Sequence, residues 1–318
     1  MPLKEFSMIV SVSRRTDIPS FYFDWFLNRL KAGWLMVRNP HALSSVSRIT
    51  LSPETVECIV FWTKNPEPML EKLGALEPYP YYIQFTVNLY GKEIEGNIPD
   101  LEKRIALFQE FSRRLGKDRL VWRYSPVLLN SKYTVGYHSD MFKRLSGEFA
   151  GYTSQCKLSF LDMYSKIAPR MASLGIAAQE ENEIVPLARH LAALAAENGI
   201  AVSACGKADL SPAGIPASGC IDGELIRKLT GKHMKFRKDP GQRAECNCAE
   251  SVDIGSYHTC LNGCAYCYAN HSHAHAVKKA ADYDPQSPFL CDAPRPGDKV
   301  TERKIRLHVK PQQGKLPL

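Results

Sequence analysis

Residues 8–13 read Met-Ile-Val-Ser-Val-Ser, a short apolar run that ends at the charged stretch Arg14-Arg15-Thr16-Asp17. Six further runs are equally short and dense in Val, Ile, Phe, Tyr or Trp: Trp34–Arg38, Cys58–Thr63, Tyr81–Val87, Leu120–Tyr124, Lys157–Met163 and Ile200–Cys205. Runs of this kind are typical of buried strands. The pattern therefore predicts seven strands in the first two-thirds of the chain.

Helical patterns fill most of the gaps between these runs. Ser20 is a candidate N-cap of a helix that ends before Gly33, and Asp100 begins a stronger amphipathic helix that stops at Gly116. A third helix is predicted over Glu183–Asn198. Strands that alternate with helices imply parallel pairing and right-handed crossovers. Seven such strands favour an α/β fold with a full or partial (β/α) barrel of the TIM type, and an open doubly wound sheet is the alternative.

Polar residues stand at the ends of the predicted strands. They are Ser13, Arg14, Arg15, Thr16, Asp17, Arg38, Asn39, Thr63, Lys64, Asn65, Asn88, Arg123, Tyr124 and Asp162. The carboxyl ends of the strands form the active-site face of a (β/α) barrel. We therefore expect about half of these side chains to line one mouth, and the rest to cap helices or hold loops. No glycine-rich dinucleotide fingerprint follows the first strand, which argues against a Rossmann domain.

Five of the ten cysteines lie in one short segment. Cys260, Cys264 and Cys267 are spaced C-x3-C-x2-C, and Cys246 and Cys248 precede them. Thiolates are soft ligands that suit iron–sulfur clusters and zinc, and the clustering favours an iron–sulfur centre. Three thiolates are one fewer than a closed site takes, so one coordination position would be free. Cys246 or Cys248 could instead close the site, form a separate redox pair or hydrogen-bond to cluster sulfurs.

The remaining cysteines and the nearby histidines are given simpler assignments. Cys58, Cys156 and Cys205 lie in or beside apolar runs and are predicted to be buried thiols. Cys220 and Cys291 are not assigned a role. The histidines of the stretch His271-Ser272-His273-Ala274-His275 could ligate a metal, but we predict that they are solvated.

Size and charge limit the class of protein. The chain has 318 residues and contains no apolar run long enough to cross a bilayer. Its N-terminus lacks an apolar signal region, so we predict a cytoplasmic protein without a membrane partner. The formal charge is +8, and seven basic residues oppose one acidic residue in the segment from Arg227 to Arg243. Nucleic acid is therefore one candidate partner.

Three parts are predicted along the chain. Residues 1–231 form the barrel domain, residues 232–292 form the cysteine-rich cluster-binding segment, and residues 293–318 form a basic tail. The tail is rich in proline and charge, so we expect that it lacks a core of its own.

The cysteine spacing, with Tyr266 just before the third cysteine, resembles the signature of the radical-SAM superfamily. That resemblance implies that Cys260, Cys264 and Cys267 bind three irons of a [4Fe-4S] cluster, and that S-adenosylmethionine chelates the fourth. Tyr266 would pack against the adenine side of the cofactor. The superfamily fold is a full or partial (β/α) barrel, but its motif normally follows the first strand, whereas here it follows the last.

The chain as a whole resembles a bacterial family catalogued as domain of unknown function 1848, which implies no substrate. The residues that carry this likeness are Ser11–Pro19, Phe61–Pro66 and Cys246–Asn270.

The radical-SAM resemblance also implies a mechanism and partners. The reduced cluster passes one electron to the cofactor, and the 5′-deoxyadenosyl radical that results abstracts hydrogen from the substrate. An electron donor such as flavodoxin or ferredoxin would be needed. Arg123 and Asp162 are candidate cofactor-binding residues, Asp162 through a ribose hydroxyl or, alternatively, through a substrate amine. The strand-end Arg14, Arg15, Arg38, Lys64 and Arg123 suit a small anionic substrate.

Two non-enzymatic functions remain as alternatives. One is a zinc-stabilised protein that binds nucleic acid through its basic flanks. The other is an electron-transfer protein in which Cys246 or Cys248 closes the cluster.

Overall fold

The computed structural model describes residues 7–303 and 308–309. The strands are β1 (Met8–Val12), β2 (Trp34–Arg38), β3 (Ser45–Thr50), β4 (Val56–Thr63), β5 (Tyr81–Thr86), β6 (Leu120–Val127), β7 (Gln155–Phe160), β8 (Ala201–Ala204), β9 (Met234–Lys235), β10 (Val252–Asp253), β11 (Lys299–Glu302) and β12 (His308–Val309). The α-helices are α1 (Ile18–Phe21), α2 (Phe23–Ala32), α3 (Leu101–Leu115), α4 (Val135–Glu148), α5 (Ala168–Ser173), α6 (Glu181–Glu197), α7 (Gly223–Thr230) and α8 (His273–Ala280). Short 3-10 segments cover Glu67–Leu76, Lys117–Arg119 and Ser211–Ala213.

Seven strands form one parallel sheet in the order β10-β1-β4-β5-β6-β7-β8. From β1 onward the strands follow one another in chain order, without the reversal that defines a doubly wound sheet. The edge strands β8 and β10 are not paired with each other among the described residues, so a closed barrel is not confirmed. The molecule is a mixed α/β fold built on a large parallel sheet.

Six of the seven predicted strands belong to this sheet, and the seventh does not. Trp34–Arg38 is a strand, but it pairs antiparallel with β3 in a separate three-stranded sheet. The segment that joins β2 to β3 is short, and a short connection permits a hairpin but not a parallel crossover. The seventh parallel strand is β10, whose two residues are too few to form an apolar run.

The predicted helices are present, with shifted starts. α3 and α6 match the predicted helices closely. Gly33 ends α2 in a left-handed conformation, at φ 78°, as its position predicted. The first helix begins earlier than expected, because Asp17 rather than Ser20 is the N-cap and accepts from the Ser20 backbone N–H.

The described part of the basic tail contributes an exposed strand, β11. This strand runs parallel to β3, and Arg48 bonds to Glu302 across the pair. Residues 304–307 and 310–318 lie outside the described residues, as do residues 1–6, from which the absence of a signal was predicted. No helix in the described ranges combines the length and apolar character needed to cross a bilayer.

An aromatic core covers one face of the sheet, here called the outer face and defined by Phe61, Phe85 and Trp122. Phe61 meets Phe26 of α2 edge-on at 5.6 Å, and Trp122 stacks on Phe142 of α4 at 4.6 Å between ring centroids. All these side chains are buried. Large buried rings contribute much of the free energy of folding, so this core fixes the helices on the sheet.

The inner face, defined by Val60, Gln84 and Arg123, changes character along the strands. Near the amino ends it is apolar and packs on Leu225 and Ile226 of α7. Near the carboxyl ends it is polar: Arg123 and Lys157 are neighbours in register there. A parallel sheet normally has both faces covered by apolar contacts, so the polar half of the inner face departs from that pattern.

Phe61→Ala should lower the free energy of unfolding by about 3–5 kcal/mol, because it opens a cavity between α2 and the sheet. Leu43→Ala is the matched control, since Leu43 is 60% exposed. The measurement is urea unfolding at neutral pH. Equal effects of the two substitutions would contradict the placement of Phe61 in the core.

Candidate functional site

The loop Cys260–Cys267 lies at the carboxyl ends of the parallel strands. The Asn262 side-chain amide donates to Asp17 Oδ2 at 2.9 Å, and the same oxygen accepts the Lys64 backbone N–H at 2.8 Å. Asp17 follows β1 and Lys64 follows β4, so one carboxylate joins two strand ends to the loop. Burial raises the pKa of Asp17, although its hydrogen bonds oppose the shift.

Glu95 forms the second attachment of the loop. Its backbone pairs with Cys264 in an antiparallel bridge, and Ala265 N–H donates to Ile94 O at 2.8 Å. The Glu95 carboxylate accepts Lys64 Nζ at 2.7 Å and also the Tyr266 hydroxyl. This side chain is 1% exposed. Glu95 therefore connects the β4 end, the cysteine loop and the β5–α3 connection.

The charge on Glu95 is stabilised by its neighbours. Burial disfavours the charged form, but the nearby Lys64 and Arg104, together with hydrogen bonds from Lys64 and Tyr266, outweigh it and lower its pKa. Arg104 Nη1 lies 3.8 Å from Glu95 Oε2. Sequence reasoning missed Glu95, because it lies in a loop without a motif and its partners come from distant parts of the chain.

The three loop cysteines are free thiols close to one another. Burial and the neighbouring Cys267 together raise the pKa of Cys260 to about 12. Burial likewise raises the pKa of Cys264 well above its usual value, and both other sulfurs contribute. In the part of the chain that the structure describes, no group of three or more His, Cys, Asp or Glu side chains is arranged to hold a metal ion.

Cys246 and Cys248 lie apart from this loop, with two other cysteines. The Cys248 sulfur accepts the Cys220 backbone N–H at 3.2 Å, and Cys220 is bonded to Cys205 in a disulfide. The prediction that Cys205 is a free thiol is therefore wrong. Its partner Cys220 lies in an irregular segment, where the sequence contains no pairing signal.

Most of the predicted strand-end cations already have carboxylate partners. Arg14 contacts Asp239 and Asp253, and Lys64 contacts Glu95. Arg38 bonds to Asp292 and Asp298, and it belongs to the three-stranded sheet rather than to the parallel one. Asp162 accepts Arg243 Nη1 at 2.6 Å.

Arg123 differs from these cations. It donates to Gln84 Oε1 at 2.7 Å, to the Cys220 sulfur at 2.8 Å and to Ser125 Oγ at 3.3 Å. Among the described residues it forms no ion pair with a carboxylate. Desolvation lowers its pKa.

Asp253, at the end of β10, is a second carboxylate that the sequence did not reveal. It accepts the hydroxyls of Ser11 and Ser13, both at 2.7 Å, and the Arg14 backbone N–H at 2.8 Å. Burial disfavours its charge, but Arg15 and Arg14 outweigh this and lower its pKa. Asp253 therefore attaches the cysteine-rich segment to the first strand.

A cleft of about 450 Å³ opens beside this attachment. Its lining includes Arg14, Arg15, Arg38, Tyr257 and Tyr268. The Arg15 guanidinium lies over the Tyr257 ring at 5.0 Å, and its Nε is 3.9 Å from Asp253. The histidines at 271, 273 and 275 are exposed, as predicted.

These features define an α/β protein that carries a three-cysteine loop at the carboxyl edge of a parallel sheet. Residues 9–269 match the family described as a domain of unknown function (DUF1848), and the chain belongs to that family. No curated protein matches the chain.

Glu95→Gln should destabilise the protein by roughly 3–5 kcal/mol at neutral pH, because it leaves Lys64 and Arg104 without their buried counter-charge. The pKa of Glu95 is lower in the folded chain, so its stabilisation is present above the unfolded pKa of about 4.3 and is lost as the pH falls through the folded value. The variant should therefore lose less stability on acidification than the unmodified chain. Urea unfolding at several pH values measures both effects.

Glu102→Gln is the control for this experiment, since Glu102 is an exposed residue that pairs with Arg144. Its effect should stay below about 1 kcal/mol. A pH dependence of Glu95→Gln identical to that of the unmodified chain would show that Glu95 is not the buried anion.

Proposed function

We propose that the protein is an iron–sulfur enzyme of the radical-SAM type. In this proposal Cys260, Cys264 and Cys267 bind a [4Fe-4S] cluster, and S-adenosylmethionine takes the fourth iron. The observation that carries it is a set of three free, half-buried thiols in one loop, attached to the carboxyl ends of parallel strands. That edge is where parallel α/β folds place their chemistry.

The donor set fits such a cluster. Thiolates are the ligands that iron–sulfur clusters use, and Cys246 and Cys248 lie with Cys205 and Cys220 rather than with this loop. Burial and mutual repulsion raise the pKa of Cys260 and Cys264, and a bound cation would reverse that shift. The loop is therefore an unfavourable place for thiolates unless a metal is present.

The loop conformation is also suited to a cluster. Gly263 has φ 68°, a left-handed conformation that glycine adopts without strain, and it lies between the first two cysteines. A Cβ at this position would lie 3.3 Å from Asn97 Nδ2. Asn97 also donates to Leu261 O at 2.9 Å, so the turn between the cysteines is held from outside.

The chain's own residues position the reactants and exclude water. Asp17 and Glu95 fix the loop, and the Tyr266 ring is held between its hydroxyl bond to Glu95 and the Lys64 ammonium, 5.6 Å from the ring centre. With the cluster and S-adenosylmethionine bound, the site would supply the electron that cleaves the cofactor and starts radical chemistry on the substrate. A low-potential donor such as flavodoxin or ferredoxin would deliver that electron.

The polar half of the inner face supports the proposed chamber, cofactor contacts and substrate class. The sequential parallel order is compatible with a partial (β/α) barrel, in which this half lines the chamber. Arg123 faces it with no carboxylate partner among residues 7–303 and 308–309, and in this proposal it contacts the cofactor. Asp162 could do so only after releasing Arg243. The arginines of the 450 Å³ cleft suit an anionic substrate.

The test is anaerobic reconstitution followed by a cleavage assay. We expect about four irons and as many sulfides per chain in the reconstituted loop, with an absorption shoulder at roughly 400 nm. After chemical reduction, the protein should convert S-adenosylmethionine to 5′-deoxyadenosine. Each of Cys260→Ser, Cys264→Ser and Cys267→Ser should abolish both cluster and product.

Cys156→Ala serves as the matched control, because Cys156 is a fully buried thiol in the aromatic core. It should retain iron and product. A protein that holds the cluster but never forms 5′-deoxyadenosine would refute the enzymatic proposal and favour electron transfer. Zinc that disappears in the three loop variants would refute the cluster itself.

A further inference from the structure

Four cysteines from three segments meet at the inner face of the sheet; together they are called the four-sulfur cluster. Cys205 follows β8 and is disulfide-bonded to Cys220, in the segment before α7. Cys248 accepts the backbone N–H groups of Cys220 and Ile221, at 3.2 and 3.5 Å. All four cysteines belong to one hydrophobic cluster on the inner face of the sheet.

Among the described residues, Arg123 faces this cluster without a matching anion. Arg123 Nη1 lies 2.8 Å from the Cys220 sulfur, and its other partners are a neutral amide and a hydroxyl. Arg14 is ion-paired with Asp239 and Asp253, but its buried Nη1 has no hydrogen-bond partner in the described part of the chain. A desolvated guanidinium requires a counter-charge, and a neutral disulfide supplies none.

We propose that Cys205, Cys220, Cys246 and Cys248 bind a single Zn²⁺ ion as four thiolates when the Cys205–Cys220 disulfide is reduced. Zinc is tetrahedral with Zn–S bonds of about 2.3 Å, which places its sulfurs about 3.8 Å apart. In a four-iron cluster each cysteine sits on a different iron, so the sulfurs are farther apart. The Cys248 sulfur lies against the backbone of Cys220, and all four cysteines share one hydrophobic cluster, so this close grouping fits one ion better than a four-iron cluster.

A dithiol can reduce the Cys205–Cys220 disulfide by thiol–disulfide exchange. The Cys205–Cys220 bond accepts two electrons and two protons and becomes two thiols, while the dithiol becomes its own disulfide. Zinc then displaces the protons of the four thiols and leaves a centre with two negative charges. Arg123 faces that charge.

Oxidation removes the site. With Cys205 and Cys220 joined, the cluster offers only the thiols of Cys246 and Cys248, fewer than a zinc site needs. The site is thus linked to redox state, and in its reduced form it ties the end of β8 to the segments that flank α7 and precede β10. It shares no cysteine with the loop Cys260–Cys267 and does not depend on the function proposed there.

The experiment uses the full chain purified with a phosphine reductant and measures zinc by elemental analysis. We expect about one zinc per chain, with X-ray absorption showing four sulfur neighbours at about 2.3 Å. Oxidation with diamide should release the zinc, and mass spectrometry should then locate the Cys205–Cys220 disulfide. These measurements need no substitution, so they do not depend on how a variant folds.

Two sets of variants separate this site from the cysteine loop. Cys220→Ser and Cys248→Ser should lose stoichiometric zinc, whereas the triple variant Cys260→Ser, Cys264→Ser, Cys267→Ser should keep it. The triple variant also distinguishes the two proposals, because it removes the iron–sulfur cluster and leaves the zinc.

Three results would overturn the inference. The first is reduced protein that binds less than a tenth of an equivalent of zinc. The second is a Cys246–Cys248 disulfide that forms when Cys205–Cys220 opens, because it would indicate thiol exchange instead of metal binding. The third is iron and sulfide retained by the triple variant, which would show a cluster rather than a single ion.

Discussion

The buried ion pair of Glu95 and Lys64 determines how the carboxyl edge of the sheet is built. Lys64 follows a central strand, and Glu95 lies in the connection after the next one; their side chains meet at 2.7 Å. Because a buried carboxylate is costly without partners, the Tyr266 hydroxyl and the Arg104 guanidinium also converge on it. The backbone of Glu95 pairs with Cys264. Because the side chain of Glu95 is held by its ion pair, this pairing also fixes the position of the cysteine loop at the carboxyl edge of the sheet.

A second buried carboxylate, Asp253, attaches the C-terminal segment to the sheet. Asp253 ends a strand of only two residues, which few backbone hydrogen bonds can hold in place. Its oxygens accept from Ser11, Ser13 and the Arg14 backbone, all on or just after the first strand. The C-terminal segment is therefore attached to the first strand of the sheet.

The inner face of the sheet is apolar at the amino ends of the strands and polar at their carboxyl ends. At the amino ends, Val60 and Val121 pack on α7 and exclude water. At the carboxyl ends, Arg123 and Lys157 replace them, and Lys157 is neutralised by Asp222 at 2.8 Å. Arg123 has no such carboxylate in the described ranges. The charge of Arg123 is therefore left for the neighbouring sulfur of Cys220, whereas Arg14 and Arg38 of the cleft are already ion-paired.

Local patterns in the sequence were sufficient to predict much of the fold and part of the candidate site. Six parallel strands, helices α3 and α6, and the three-cysteine loop follow from runs, caps and spacing, because each is set by residues near one another in the chain. Tertiary structure alone decided that Trp34–Arg38 leaves the parallel sheet and that β10 takes the seventh place. It also decided the roles of Glu95, Asp253 and the Cys205–Cys220 pair. These depend on partners far away, as Ser11 and Asp253 are separated by 242 residues, and no local pattern encodes such a meeting.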